Sequence, residues 1–223
     1  MQIILSSNNV KKLQELRAIL PAMDIRSCAE FLGKVEILED GTSFEENACL
    51  KASAIYQLLE EKEGDLCVLA DDSGICVDAL NAMPGIYSAR FASIPESAAE
   101  IAQGCFTIPQ VNSNDTQNNL KLLTCLEELD IVQSNASFIC VIAVCMRIKG
   151  EFRQTTFRGE CRGKVLKAPL NPQAFGYDPL FIPEGYTLTM DRLPEKNAIS
   201  HRFLALQQFK DFLNCVKSSH LRL

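Results

Sequence analysis

Val68-Leu69-Ala70-Asp71-Asp72-Ser73-Gly74-Ile75-Cys76-Val77-Asp78 decides the architecture, because an apolar run halts at two adjacent carboxylates and then resumes. The pattern predicts strand, acidic turn, strand. Asp71, Asp72 and Ser73 would then lie on a loop held by rigid elements, where polar chemistry is presented to a cleft. Asp-Asp-Ser-Gly also has a plainer explanation, since Asp and Ser bond their own backbone and Gly supplies positive φ. Taken alone, the tetrapeptide favours turn chemistry, and the surrounding motifs reverse that balance.

Working outward toward the N-terminus, Gln2 to Ser6 is a short apolar run suited to a buried strand, and Ser7-Asn8-Asn9 breaks it. Val10, Leu13, Leu16, Ile19 and Leu20 then recur at helical spacing up to Pro21. Strand, polar turn, helix is an anion-binding geometry: the first helix amides point outward at the positive dipole end, and Lys11 or Lys12 adds a full charge. No GxxxxGKS or GxxxxGKT is present, so the segment is not a P-loop. An ordinary capped helix with solvated lysines accounts for the same residues. Glu39 lies in a polar break ahead of a helical pattern, Ser43 to Lys62, with an apolar stripe of Phe44, Ala48, Ala52, Ile55 and Leu59. Ser43 and Glu46 fit a capping box.

Toward the C-terminus, residues 93 to 114 contain Pro95 and Pro109 and predict a short helix with loops. Asp115 is positioned to cap a helix carrying Leu120, Leu123, Leu126 and Leu129. Ala136 to Ile148 and Glu151 to Arg162 predict two paired strands across Lys149-Gly150. Phe175-Gly176-Tyr177-Asp178-Pro179 sets two aromatics and an acid around a glycine, which suits stacking on a planar base and equally suits core packing. Glu195 to Val216 predicts a helix with a core stripe at Ile199, Phe203, Leu206, Phe209 and Leu213. On it His201 lies about 200° around from Ile199, pointing away from the core. Lys196, His201 and Arg202 read either as a solvated basic group or as the lining of a cleft.

The chain has 223 residues, 47% of them hydrophobic, enough for one domain with an ordinary core, with room for two lobes. A net charge of −6 argues against broad binding to nucleic acid or to an anionic membrane. Ten cysteines form no CxxC pair and mostly sit in apolar runs, as small hydrophobes do. No signal peptide and no membrane-length apolar run is present, so the reducing cytoplasm is expected. The two histidines, His201 and His220, lack partners at zinc-ligand spacing.

Six ordered motifs span the chain: Ser7 to Leu16, Glu39 to Ala52, Leu69 to Leu80, Pro84 to Phe91, Phe175 to Phe181 and Glu195 to Arg202. Together they resemble the inosine/xanthosine triphosphate pyrophosphatase family. The resemblance implies an α/β fold, a long twisted mixed sheet flanked by helices, in two lobes with a central active-site cleft. It implies a homodimer that hydrolyses ITP, dITP and XTP to the nucleoside monophosphate and pyrophosphate. By motif position, Ser7, Asn8, Asn9, Val10, Lys11 and Lys12 would hold the triphosphate. Glu39 and Asp72 would hold a magnesium ion, Asp72 would accept the proton, and Ser73 would touch substrate. Phe175, Gly176, Tyr177, Asp178, Lys196, His201 and Arg202 would grip the purine and the sugar-phosphate.

Arg202, a donor-only group, is expected to read the 6-oxo edge while Phe175 stacks on the ring. Ser7-Asn8-Asn9 stands where the family usually has Thr-Gly-Asn, and Asn tolerates the positive φ that such a loop is expected to use. Gln173-Ala174 stands where glycines are common, residues 93 to 114 are longer than the family's loop, and the turn before Glu195 is shorter. The competing readings are a pyrophosphatase of different base preference and a nucleotide-binding regulator without turnover.

Overall fold

The computed structural model describes residues 2–59, 66–166 and 174–220. Six strands form one mixed sheet in the order β2-β1-β3-β4-β5-β6. β1 (Gln2–Leu5) runs parallel to both β2 (Ile25–Ser27) and β3 (Leu66–Val77). β4 (Gln133–Ile148) precedes β5 (Glu151–Leu166), and β6 (Phe181–Pro183) pairs antiparallel with β5. Lys149 and Gly150, both at positive φ, turn β4 into β5, as a tight turn between paired strands requires. The helices are α1 (Val10–Ile19), α2 (Ala29–Leu32), α3 (Phe44–Leu59), α4 (Ala98–Ala102), α5 (Asp115–Glu128), α6 (Lys196–Ile199) and α7 (His201–His220).

The chain divides into two compact units, each with its own core. Met1–Asp72, Cys140–Gly159 and Ser200–Leu223 make the first. In its core, Ile3 and Leu5 of β1 and Cys67 and Leu69 of β3 pack with Leu16, Ile142, Leu206 and Phe209. The two-residue spacing within each strand is the pleat placing alternate side chains on one face. Ser73–Ile139 and Glu160–Ile199 make the second unit. Ile75, Val77, Phe91, Leu122, Leu126, Phe138, Val165 and Phe181 lie in its core. Among the described residues, no helix is long and apolar enough to cross a membrane.

Several expectations are corrected. Asp71 to Gly74 is not a turn: β3 runs unbroken through all four residues. Phe203, expected on the core stripe, is half-buried, and the buried face carries Ala205, Leu206, Phe209 and Leu213. The single helix expected from Glu195 is two, α6 and α7, divided at Ser200. Gly159 accounts for the placement of α7: a Cβ there would lie 2.0 Å from the His201 carbonyl oxygen and 2.6 Å from the Ala205 nitrogen, so only glycine lets β5 approach so closely. Asn114, not Asp115, caps α5, with Gln117 completing a capping box. Leu120 is exposed on that helix while Leu122, Cys125 and Leu126 are buried. Glu46 bonds the Thr42 amide at 2.7 Å rather than that of Ser43, whose hydroxyl still caps α3. Residues 60–62 of the expected helix and Gln173 lie outside the described residues.

Candidate active site

Consecutive side chains on a strand point to opposite faces, so Asp71 and Asp72 face away from one another and each meets its own cations. Asp71 is paired with the Lys12 ammonium from α1 and accepts from Arg202 Nε of α7 at 2.8 Å and from Cys140 Sγ of β4 at 3.1 Å. Arg202 also holds Glu15 through Nη1. Burial alone would raise the Asp71 pKa, but Arg202 and Lys12 hold this carboxyl well below the usual range. Asp71 is therefore an anion inside the fold, and these cations explain why the backbone there stays in the sheet.

Asp72 on the other face accepts from Lys51 Nζ at 2.6 Å, and the same ammonium lies 3.2 Å from Glu39. Lys51 reaches them from the buried face of α3, beside Ala48, Ala52 and Ile55. Its backbone carbonyl accepts the Ser6 hydroxyl at 3.0 Å, which ties α3 to the end of β1. Burial works against the Lys51 charge, yet Asp72 and Glu39 carry its pKa upward. Burial pushes the Asp72 carboxyl up to about 6, with Lys51 pulling the other way. The Glu39 loop is fixed by α3 as well: Asn47 Oδ1 accepts the Gly41 amide at 2.9 Å, one residue on from the Glu46 contact with Thr42.

Ser7, Asn8 and Asn9 form an irregular link between β1 and α1 without positive φ, correcting the expectation for Ser7-Asn8-Asn9. Asn9 sits at φ −82° because it is the N-cap, its side chain accepting the Lys12 amide at 3.2 Å. Ser7 Oγ accepts the Asn9 amide at 3.1 Å, and the Asn8 amide group reaches the Val35 carbonyl at 3.3 Å. Val10 and Lys11 are exposed at the helix start. His201, expected to point away from the core, is buried, because the break at Ser200 makes it the first residue of a helix packed on β5. Arg202 is only 2% exposed, and its Nε and Nη1 are directed at Asp71 and Glu15 rather than presented on a surface.

In the second unit, Ser73 is half-buried on β3 and Phe175 is half-buried beside Lys196, whose Nζ lies 5.4 Å from the ring centroid. Lys196 also pairs with the buried Asp178 at 2.7 Å. Tyr177 is a core residue: it is 4% exposed and its hydroxyl donates to the Ser88 carbonyl at 2.8 Å. Of the two aromatics, Phe175 is the one whose ring remains partly accessible for stacking. Gly176 between them adopts φ +56°, a conformation that L side chains resist.

Sequence reasoning missed Lys51, although it was visible. Lys51 follows Ala48 by three residues and precedes Ile55 by four, so it falls on the apolar stripe, where a cation needs an anion. Asp71 stands out in the sequence as part of the acidic pair, but Cys140, which donates to it, and Glu15, which shares Arg202 with it, carry no sequence signal.

Among the described residues, no cluster of three or more His, Cys, Asp or Glu side chains is arranged to hold a metal ion. Asp72 Oδ2 is nevertheless buried without a hydrogen-bond partner, and Glu39 is its neighbour across Lys51. Two carboxylates, one with an open oxygen, fit a hard cation such as magnesium, which takes few protein ligands and completes its shell with water and phosphate oxygens.

A model of the Ham1 family matches residues 3–212. A dITP/XTP pyrophosphatase of Clostridium perfringens is 41% identical over 217 residues, covering 95% of this chain and 97% of the relative. One from Campylobacter jejuni is 39% identical over 216 residues, covering 96% and 97%. Among solved structures, a HAM1 protein from Coxiella burnetii superposes with a TM-score of 0.75 at 33% identity, covering 96% of this chain and 98% of that one.

Proposed function

The chain belongs to the Ham1 family, and we propose that it hydrolyses the non-standard purine nucleoside triphosphates ITP, dITP and XTP to the nucleoside monophosphate and pyrophosphate. The observation that carries this reading is the arrangement of Asp72 and Glu39 on Lys51, with Asp72 Oδ2 left open.

A nucleoside triphosphate carries about four negative charges, and a carboxylate roughly 6 Å away repels each by about 3 kcal/mol at an effective dielectric near 20. An acidic site for such a substrate therefore needs cations. Lys51 compensates Glu39 and Asp72 from within the fold. A magnesium ion held by Glu39 and Asp72 would neutralise the triphosphate and stabilise charge arising on the departing pyrophosphate. Asp72 orients a water molecule toward the α-phosphorus and takes its proton. The water oxygen bonds to that phosphorus, the bond from it to the bridging oxygen breaks, and pyrophosphate leaves with the bridging oxygen. Lys12 has three donor hydrogens, so its ion pair with Asp71 leaves donors for phosphate oxygens. Phe175 stacks on the base, and Lys196, positioned by Asp178, supplies charge beside it.

The ten free cysteines support a reducing, cytoplasmic setting, and the resemblance supports a homodimer. The test is a panel of ITP, XTP, dITP, ATP, GTP and dTTP with magnesium, measuring pyrophosphate against orthophosphate. Pyrophosphate from the first three, abolished by EDTA, is the expected result. Tight nucleotide binding without any product would instead identify a regulator.

A further inference from the structure

Helix α5 holds Gly176 by both of its backbone groups. Asp115 Oδ2 accepts the Gly176 amide at 2.9 Å, and Asn119 Nδ2 donates to the Gly176 carbonyl at 2.9 Å. Asp115 and Asn119 are four residues apart, one helical turn, so they share a face. The Asn114 and Gln117 capping box fixes the start of that helix. Asn119 is 4% exposed, so its contact is made away from competing water, and Asp115 is half-buried. Gly176 itself sits at positive φ, a backbone state that gains from being tied at both ends. On one side of it Tyr177 is anchored through Ser88, and on the other stands the half-buried Phe175 ring.

We propose that Asp115 and Asn119 are positioning residues for purine binding, clamping Gly176 so that Phe175 is held in the conformation that stacks on the base. Neither touches substrate. The inference rests on the purine triphosphate reading above and extends it to a helix outside the six motifs. Loss of the clamp leaves the binding-competent loop only fractionally populated. If that fraction falls to about one tenth, the apparent dissociation constant rises about tenfold.

The test compares wild type with Asp115→Ala, Asp115→Asn and Asn119→Leu, measuring KM and kcat for ITP together with amide exchange at Gly176. Asp115→Ala and Asn119→Leu should raise KM about tenfold while kcat changes less than about threefold, and Asp115→Ala should expose the Gly176 amide to exchange. Asp115→Asn keeps an acceptor oxygen in place and should restore a KM near that of wild type. If Asn119→Leu fails to fold, the half-buried Asp115 carries the test. An active wild type whose Asp115→Ala variant exchanges Gly176 quickly yet keeps its KM overturns the clamp alone. A kcat loss at unchanged KM reduces the pair to general stability and also overturns it. A wild type inert toward ITP removes the proposed function, and the clamp's role with it.

Discussion

Replacing Arg202 by methionine keeps much of the side-chain bulk and removes the charge. Arg202 is 2% exposed, donates from Nε to Asp71 at 2.8 Å, and holds Glu15 through Nη1. Its loss leaves Asp71, itself 2% exposed, with the Lys12 ammonium and the Cys140 thiol as its named partners. Removing one partner of a buried ion pair costs about 3–5 kcal/mol, because the surviving charge stays desolvated. For a chain of this length each kcal/mol moves the melting temperature by roughly 2–4 °C, so Arg202→Met should melt about 6–20 °C lower. The assay is thermal unfolding followed by circular dichroism, with ITP and ATP kinetics on the folded variant at low temperature. As an anchor of Asp71, Arg202 affects both substrates through the same strand, and both kcat/KM values should fall by a common factor. A melting temperature within about 3 °C of wild type, together with a narrowed ITP to ATP ratio, would refute this and return Arg202 to the base-reading role.

Asp72→Asn keeps the shape of the side chain while removing its basicity, and kcat should fall by a factor of roughly 100 or more in steady-state assays. An unchanged rate would place the base elsewhere. Lys51→Met leaves Asp72 and Glu39 facing one another without their shared cation. Its kcat/KM for ITP should drop by at least about tenfold, the loss expected from a charged hydrogen bond worth roughly 1.5–3 kcal/mol. Retained activity would make Lys51 a structural residue only. All ten cysteines are free thiols, so reductant should leave the melting temperature unchanged, and a large drop would reveal a disulfide.

Much of the first unit was legible because local periodicity and tertiary placement agree there. The apolar run of β1, the spacing of Leu13 and Leu16 in α1 and the stripe of α3 all describe faces that are buried in the fold. The acidic stretch misled because its local chemistry favours a turn, while the groups that keep it in a strand come from far away. Lys12 is 59 residues from Asp71 and Arg202 is 131 residues from it, so nothing near the tetrapeptide announces the pairing. The break at Ser200 was hidden for a different reason: Ile199, Phe203 and Leu206 keep a helical rhythm across it, and the contact of α7 with Gly159 depends on a strand some forty residues earlier. The base loop was half legible. Phe175 and Tyr177 are chemically alike on paper, and only the hydroxyl's contact with Ser88 tells the core residue from the accessible one.

The central claim is that Asp72 directs water onto the α-phosphorus of a purine nucleoside triphosphate. Hydrolysis of ITP in water carrying heavy oxygen, with mass spectrometry of both products, tests it most directly. A single heavy oxygen in the monophosphate, with unlabelled pyrophosphate, is the predicted result. Label in pyrophosphate, or release of orthophosphate, would place the attack on another phosphorus and contradict the account.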